Sequence, residues 1–218
     1  MSRLTPLCLL PILLTGIAVS APTALAQGQS LPVTSQAQET SEWCWAASGQ
    51  MLMNLVGAAF RPPNVPQCYE ANNEFGRNDC CTCPTPSACV QPGWPEFSKW
   101  GFNSNTTTWG TPLSWNDVKG QINAGKPFMF SWEWNGGGGH AMVAKGFQEI
   151  KLKVGPVQLD LQMVVVANPW PPQGRCGPGG NAAGPFGGDL EIITYSEFVG
   201  GAGYNHTHGA DIYNIAHI

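Results

Sequence analysis

The sequence predicts an α+β domain, because helical and strand-like patterns occupy different parts of the chain. From Cys44 to Val56 no proline intervenes and apolar residues recur at four-residue spacing, which is typical of a helix with a buried face. Beyond residue 126 the pattern changes to short runs rich in Val, Ile, Phe and Trp, separated by Gly, Pro or Asn. Helices followed by strands favour a mainly antiparallel sheet, with a groove where the two parts meet.

Length and composition limit the functions that the chain can have. Its 218 residues suit one domain, and 43% hydrophobic residues with 9 tryptophans can fill a sizeable core. Charged residues make up only 11% of the chain, the net charge is −4, and no basic stripe is present. We therefore expect no nucleic-acid partner.

Residues 1–26 have the pattern of a cleaved secretory signal. An arginine precedes an apolar run over 7–19, and Ala24-Leu25-Ala26 supplies the small residues of a cleavage site. The run is shorter than the roughly 20 residues of a spanning helix, which disfavours the alternative of a membrane anchor. We predict a secreted or periplasmic protein whose mature domain, residues 27–218, does not contact a membrane.

Cysteine number singles out Cys44 as a free thiol. Removal of the signal takes away one of eight cysteines and leaves an odd number in a compartment that favours disulfides. Six of the remaining cysteines lie in loops: Cys68, Cys80, Cys81, Cys83, Cys89 and Cys176. Residues 60–95 are therefore predicted to be a stapled loop region whose disulfide pairing the sequence leaves open. A zinc site is the alternative there, because Cys80 and Cys83 have the spacing of a metal hook.

Further elements follow from local patterns. Ser114 is predicted to begin a second helix, with Asp117 as its capping partner and a stop at Gly125. A short helix is predicted over 95–100, and a turn or edge strand over 101–111. Strands are predicted over four segments, 127–134, 141–150, 159–167 and 190–195.

Cys44 is the candidate nucleophile. Thr40 or Ser41 is predicted to cap its helix, so that Cys44 lies in the first turn. Free backbone N–H groups and the positive end of the helix dipole favour a thiolate at that position. A cysteine that is merely buried in an apolar helix is the alternative.

His140 and Asn168 are the candidate base and its orienting group. His140 follows four glycines at the start of one predicted strand, and Asn168 ends another, so neighbouring strands would place them side by side. The Asn168 carbonyl would then hold the imidazole tautomer that faces the thiol, with Trp170 covering that bond. Surface or strand-end positions, or at most a weak metal pair, are predicted for the other histidines, His206, His208 and His217.

These motifs together resemble those of the papain-like cysteine peptidases. Four elements have the order of that family: Gln38 six residues before the nucleophile, Cys44 followed by Trp45, Gly139-His140, and Asn168-Pro169-Trp170. The similarity covers roughly residues 36–170, and the motifs look like those of the compact bacterial branch, which includes bacteriocin-processing peptidases and effector peptidases of plant pathogens. The resemblance implies a papain-like fold in which the helical part carries the nucleophile and the active-site groove separates it from the sheet.

The resemblance also implies roles for individual residues. Cys44 would be the nucleophile, His140 the general base and acid, Asn168 its orienting group, and Gln38 a side-chain donor to the oxyanion beside the Cys44 backbone N–H. The implied reaction is hydrolysis of a protein or peptide substrate through a thioester, without a metal or other cofactor. Ser41-Glu42-Trp43 replaces the Cys-Gly-Ser stretch of the plant and lysosomal enzymes, so substrate subsites are not transferred.

Two other functions remain open at this point. An acyl transferase would use the same triad when an amine outcompetes water. A catalytically silent binding protein would keep the fold for recognition, which the many glycines and tryptophans favour. The oligomeric state is also left open.

Overall fold

Helices pack on an antiparallel sheet in the computed structural model, which describes residues 23–57, 65–154, 156–174 and 188–218. The helices are α1 (Cys44–Val56), α2 (Gln67–Glu74), α3 (Trp115–Asn123) and α4 (Tyr195–Val199), with 3-10 turns at Ser87–Cys89 and Phe97–Trp100. The strands are β1 (Thr23–Ser30), β2 (Phe102–Thr106), β3 (Phe128–Trp134), β4 (Gly139–Val154), β5 (Val157–Asn168), β6 (Asp189–Thr194) and β7 (His206–His217). The predicted α+β class is confirmed. In the described ranges no helix has the length and apolar character to span a membrane.

The sheet runs in the order β2-β7-β3-β4-β5-β6, and each pairing is antiparallel. β4 is long enough to pair with β3 over 139–144 and with β1 over 146–153. The four predicted strands are confirmed, and the predicted edge strand is β2. β7 was not predicted, because its His, Gly and Asp residues break the apolar alternation. β1 spans the predicted cleavage site, so cleavage there would remove its first half.

Helix α1 is the central helix of the fold. It begins at Cys44 and ends before Gly57, as the sequence predicts. The predicted cap by Thr40 or Ser41 is wrong, because Trp43 is the N-cap residue and no side chain caps the helix. All residues from Trp45 to Met53 are buried, so α1 is covered on every side rather than on one stripe.

The stapled region is more ordered than its composition suggests. It contains α2, which was not predicted because its sequence QCYEANNE lacks an apolar period. Disulfides join Cys68 to Cys81 and Cys80 to Cys89, and Cys83 is also disulfide-bonded. These bonds occupy the thiols that a zinc site would need. The predicted signal up to residue 22, residues 60–64 of the stapled region and Cys176 lie outside the described residues.

Packing of α1 on β4 sets the position of Cys44 relative to the sheet. Helix α1 packs against β4, and Ala46 and Ala47 near the start of the helix are fully buried. Ser48 Oγ donates a hydrogen bond to the Ala141 carbonyl of β4 at 3.2 Å. The start of α1 is therefore held beside the start of β4, where the candidate residues Cys44 and His140 lie.

The helix predicted from Ser114 is α3. Ser114 is its N-cap, and its hydroxyl oxygen accepts a hydrogen bond from the Asp117 backbone N–H, as predicted. Trp115, Val118 and Ile122 of α3 are buried, and Ala124 is the C-cap residue of the helix. This helix supports β4 from the end opposite to the candidate site.

Candidate active site

A cavity of about 810 Å³ lies where the start of α1 meets β3, β4 and the end of β5. Cys44, His140 and Asn168 all line it, so the structure brings these three predicted residues together. Tryptophans supply much of its wall: Trp45, Trp94, Trp109, Trp132, Trp134 and Trp170. The groove that the sequence predicts between helices and sheet is therefore the place where the candidate chemistry is assembled.

Cys44 is a free, half-buried thiol at the first position of α1, and among the described cysteines it is the one without a disulfide. Backbone groups of Ala141, Trp45 and Cys44 itself hydrogen-bond to its sulfur. Ala141 follows His140 on β4, so the sulfur touches the strand that carries the candidate base. The prediction that Cys44 lies unpaired in the first turn of its helix is confirmed.

Burial raises the pKa of the Cys44 thiol above its ordinary value, because water that would solvate a thiolate is excluded. Backbone hydrogen bonds from Ala141 and from the helix start lower this pKa, and the charge of Glu42 raises it, but burial is the largest effect. The prediction of a lowered pKa is wrong for this site. The helix begins where the sequence predicts, but the surrounding cavity wall excludes water from the Cys44 thiol.

His140 and Asn168 are hydrogen-bonded, as predicted from the strand order. β4 and β5 are neighbours, and Nε2 of His140 lies 2.7 Å from Oδ1 of Asn168. Because an amide oxygen can only accept, Nε2 carries the hydrogen of the neutral ring. Nδ1 is then the nitrogen that can take a proton from a thiol.

The glycine before His140 has a steric reason. A Cβ atom at Gly139 would lie 2.6 Å from the Trp132 carbonyl oxygen and 2.9 Å from Oε1 of Glu133. Strands β3 and β4 approach too closely at this point for any side chain. Gly139 therefore lets β4 pair closely with β3 directly before His140.

Burial lowers the pKa of His140, because the imidazolium form loses hydration in the cavity wall. The hydrogen bond to Asn168 and the charge of Glu191 raise it by smaller amounts. Burial therefore shifts the pKa of Cys44 upward and that of His140 downward, so that each group is shifted toward its uncharged form. His140 is then available as a base.

Asn168 is held from two sides. Its Nδ2 donates to Oε1 of Glu191 at 2.7 Å, and the backbone N–H of Trp170 donates to its Oδ1 at 3.0 Å. Trp170 was predicted to cover the bond between His140 and Asn168. Trp170 is half-exposed and lines the cavity, and its contact with Asn168 is through the backbone N–H. Glu191 was missed, although a carboxylate inside an apolar strand pattern is a signal that the sequence contains.

Gln38 is not among the residues that line the cavity. It is 1% exposed, and its Nε2 donates to the Thr40 and Ser41 carbonyls, each at 2.8 Å. Both amide hydrogens are therefore used within the turn that leads to Cys44. The predicted role as an oxyanion donor does not fit this arrangement, because no hydrogen of that amide is left for a substrate.

The other histidines lie outside the cavity lining. His206 and His208 are 2% and 4% exposed, so neither is a surface residue. His206 begins β7, which is a predicted strand-end position, whereas the prediction is wrong for His208, which is buried within the strand. Their ring nitrogens contact the backbone carbonyls of Glu197 and Phe198, at 2.9 and 3.0 Å. They attach α4 to β7, whereas His217 ends β7 as predicted.

Comparison with known proteins adds a family. A protein-family model described as the Peptidase_C39-like family matches residues 30–176. The match spans more than half of the chain and includes Cys44, His140 and Asn168. No curated protein matches the chain.

The reversed pKa directions predict how Cys44 reacts. In the unreduced protein, alkylation of Cys44 by iodoacetamide should be slower at pH 6 than that of a small unhindered thiol. Its rate should rise with pH and reach half of its maximum above the ordinary cysteine value of about 8.5. Mass spectrometry of the labelled peptide, from about pH 5 to about pH 11, measures this. A rate that stays high at pH 6 and collapses in the His140→Ala variant would restore the thiolate–imidazolium pair predicted from the sequence.

The position of Gln38 predicts a structural effect. Gln38→Ala should lower the free energy of unfolding by about 1–3 kcal/mol, because the carbonyls of Thr40 and Ser41 lose the donor that the buried Gln38 amide supplies. Gln67 is the matched control, since it is an equally buried amide that donates to the nearby Ala37 carbonyl at 2.9 Å. Urea unfolding and turnover are measured for both alanine variants. A loss of turnover about 10²-fold larger for Gln38→Ala at unchanged stability would return Gln38 to the oxyanion role.

Proposed function

The chain belongs to the Peptidase_C39-like family of cysteine peptidases, and from this premise we propose that it is a secreted peptidase with a triad of Cys44, His140 and Asn168. One observation carries the proposal: the 2.7 Å contact between His140 and Asn168 lies on a cavity that also holds the free thiol. A base that is oriented by a third group beside a nucleophile is the arrangement that covalent catalysis requires.

In the proposed reaction, Nδ1 of His140 takes the proton from Cys44 as the sulfur attacks the carbonyl carbon of the scissile bond. The tetrahedral intermediate collapses to a thioester when the leaving amine takes that proton from His140. Water then gives a proton to Nδ1 and attacks the thioester, and departure of the sulfur as the acid is released returns the proton to Cys44. Asn168 holds Nε2–H throughout, so Nδ1 is the atom that exchanges protons at each step.

Backbone donors at the start of α1 are suited to stabilise the oxyanion. The N–H groups of Cys44 and Trp45 precede the first internal helix bonds and hydrogen-bond to the Cys44 sulfur. Once the sulfur has attacked the carbonyl carbon, these donors can hydrogen-bond instead to the oxyanion of the tetrahedral intermediate. The positive end of the α1 dipole acts in the same direction, which supports a role that Gln38 does not fill.

The proposed substrate is a protein or peptide. The cavity is lined by residues from several elements: the turn before α1, the stapled region, β3, β4 and β6. Trp94 and Trp109, with ring centroids 6.2 Å apart, offer an apolar surface on one side. Glu42, Glu133 and Glu191 add negative charge, and among the described lining residues no Lys or Arg balances it. These features favour apolar and positively charged side chains near the scissile bond.

Secretion is part of the proposal. The signal pattern of residues 1–26 supports it, and so do the disulfides of the stapled region, since such bonds persist in oxidising compartments.

Substitutions of the triad test the reaction. Turnover of an unfolded protein such as reduced casein should fall to background in Cys44→Ala and by about 10³-fold or more in His140→Ala. Asn168→Ala should lose less, about 10²-fold, because the base remains but is misoriented. His217→Ala is the histidine control and should keep full activity. Products are identified by mass spectrometry with an added amine, so that hydrolysis and amine transfer are separated.

Two outcomes of that experiment contradict the proposal. If the amine adduct is the main product and free acid is absent, the protein is an acyl transferase. If no turnover depends on Cys44 with any substrate tested, the protein is a silent binding protein on this fold.

The charge of the cavity predicts a substrate preference. Peptides with Lys or Arg next to the scissile bond should be cleaved at least about tenfold faster, in kcat/KM, than matched peptides with Asp or Glu. The preference should shrink in Glu42→Gln and Glu133→Gln, and in high salt. Equal rates for the two peptide sets in the wild-type protein would show that these carboxylates do not contact the substrate.

A further inference from the structure

We propose that Glu191 is a positioning residue that orients Asn168 and, through it, His140. The inference rests on the proposed function, because it assigns a task within the same site. Glu191 lies on β6, beyond residue 176 where the family match ends. Its Oε1 accepts a hydrogen bond from Nδ2 of Asn168 at 2.7 Å, which extends the contact between Asn168 and His140 by one residue.

An asparagine can present either end of its amide to a neighbour, and only one end serves His140. In the observed orientation, Oδ1 accepts from Nε2 of His140 and from the Trp170 backbone N–H, while Nδ2 faces the Glu191 carboxylate. Rotation of the amide by 180° would set its NH₂ group against two N–H donors and its oxygen against a carboxylate. Glu191 therefore makes the productive orientation the stable one, and with it the tautomer in which Nδ1 of His140 is free.

The strand pattern of β6 shows that the carboxylate is directed inward. Alternate residues of a strand point to the same face. Leu190 and Ile192 are 64% and 54% exposed, whereas Ile193 is 6% exposed. Glu191 shares the inner face with Ile193, is half-buried and lines the cavity. A strand that only needed a soluble outer face would have the opposite pattern, with apolar residues inside and the charge outside.

Glu191 also acts on His140 through its charge. The other titratable groups that line the cavity with His140 are Cys44, Glu42 and Glu133. Of the three carboxylates, Glu191 is the one whose charge raises the pKa of His140, against the larger opposite effect of burial. A negative charge behind Asn168 stabilises the imidazolium that forms when Cys44 loses its proton.

Three variants separate orientation from charge. Glu191→Ala loses both and should lower kcat about tenfold with KM nearly unchanged, because a misoriented amide affects the reaction rather than substrate binding. Glu191→Gln keeps an acceptor oxygen for Asn168 and should retain most of kcat. Asp189→Ala, which removes an exposed carboxylate two residues away on β6, is the matched control and should change neither.

The pH profile gives a readout that loss of stability would not change. Removal of the Glu191 charge lowers the pKa of His140 further, so the base stays deprotonated to lower pH. The acidic limb of kcat/KM should therefore move to lower pH in Glu191→Ala and Glu191→Gln, but not in Asp189→Ala. An unmoved limb together with unchanged kcat in Glu191→Ala would overturn the proposal.

A second background tests the orienting role directly. The Asn168→Asp variant has two equivalent oxygens and needs no orientation, and its carboxylate is repelled by Glu191. In that background Glu191→Ala should cost no turnover or should increase it. An equal loss in both backgrounds would mean that Glu191 only supports β6. Melting temperatures are measured for every variant to identify such a loss.

A measurement without turnover separates this proposal from the proposed function. The imidazole of His140 is titrated by NMR in the wild-type protein and in Glu191→Gln, where its pKa should be lower. A shifted pKa with no peptidase activity in the wild type would refute the proposed function and leave the contact with Glu191 intact. An unshifted pKa in an active enzyme would refute the role of Glu191 and leave the proposed function intact.

Discussion

The packing of α1 on β4 is the constraint on which the site depends. The hydrogen bond from the Ser48 hydroxyl to the Ala141 carbonyl fixes the start of the helix against the strand. Because Cys44 is the first residue of the helix and His140 precedes Ala141 on the strand, this contact places Cys44 and His140 on the same cavity. The helix is buried on all sides, so this geometry is supported by most of the core.

Burial at this contact also sets the protonation of the site. A helix start favours a thiolate, but the cavity wall excludes the water that a thiolate and an imidazolium both need, and burial has the larger effect on each pKa. In the proposed reaction the positive charge arises on His140, whose Nε2 contacts Asn168, and Asn168 in turn contacts Glu191.

Buried glutamine amides hold the segment that precedes Cys44 in place. Gln38 donates to two carbonyls of the turn before Cys44, and Gln67 of α2 contacts Glu39 and Ala37 in the same segment. The Gln38 backbone N–H donates to the Pro169 carbonyl, directly after Asn168. The stapled region, the nucleophile turn and the end of β5 are therefore one connected unit.

The sequence by itself determined the elements whose signal is local: the bounds of α1, the cap of α3, the four strands, the free thiol and the pairing of His140 with Asn168. These follow from periodicity, caps and chain order, which are physical properties of short segments. The tertiary structure alone decided the direction of the pKa shifts of Cys44 and His140 and the inward direction of the Glu191 side chain. It also decided that the Gln38 amide donates to the turn before Cys44 rather than into the cavity. Hydration and hydrogen-bond partners depend on residues that are distant in the chain, and no local pattern specifies which of them will exclude water or supply a donor.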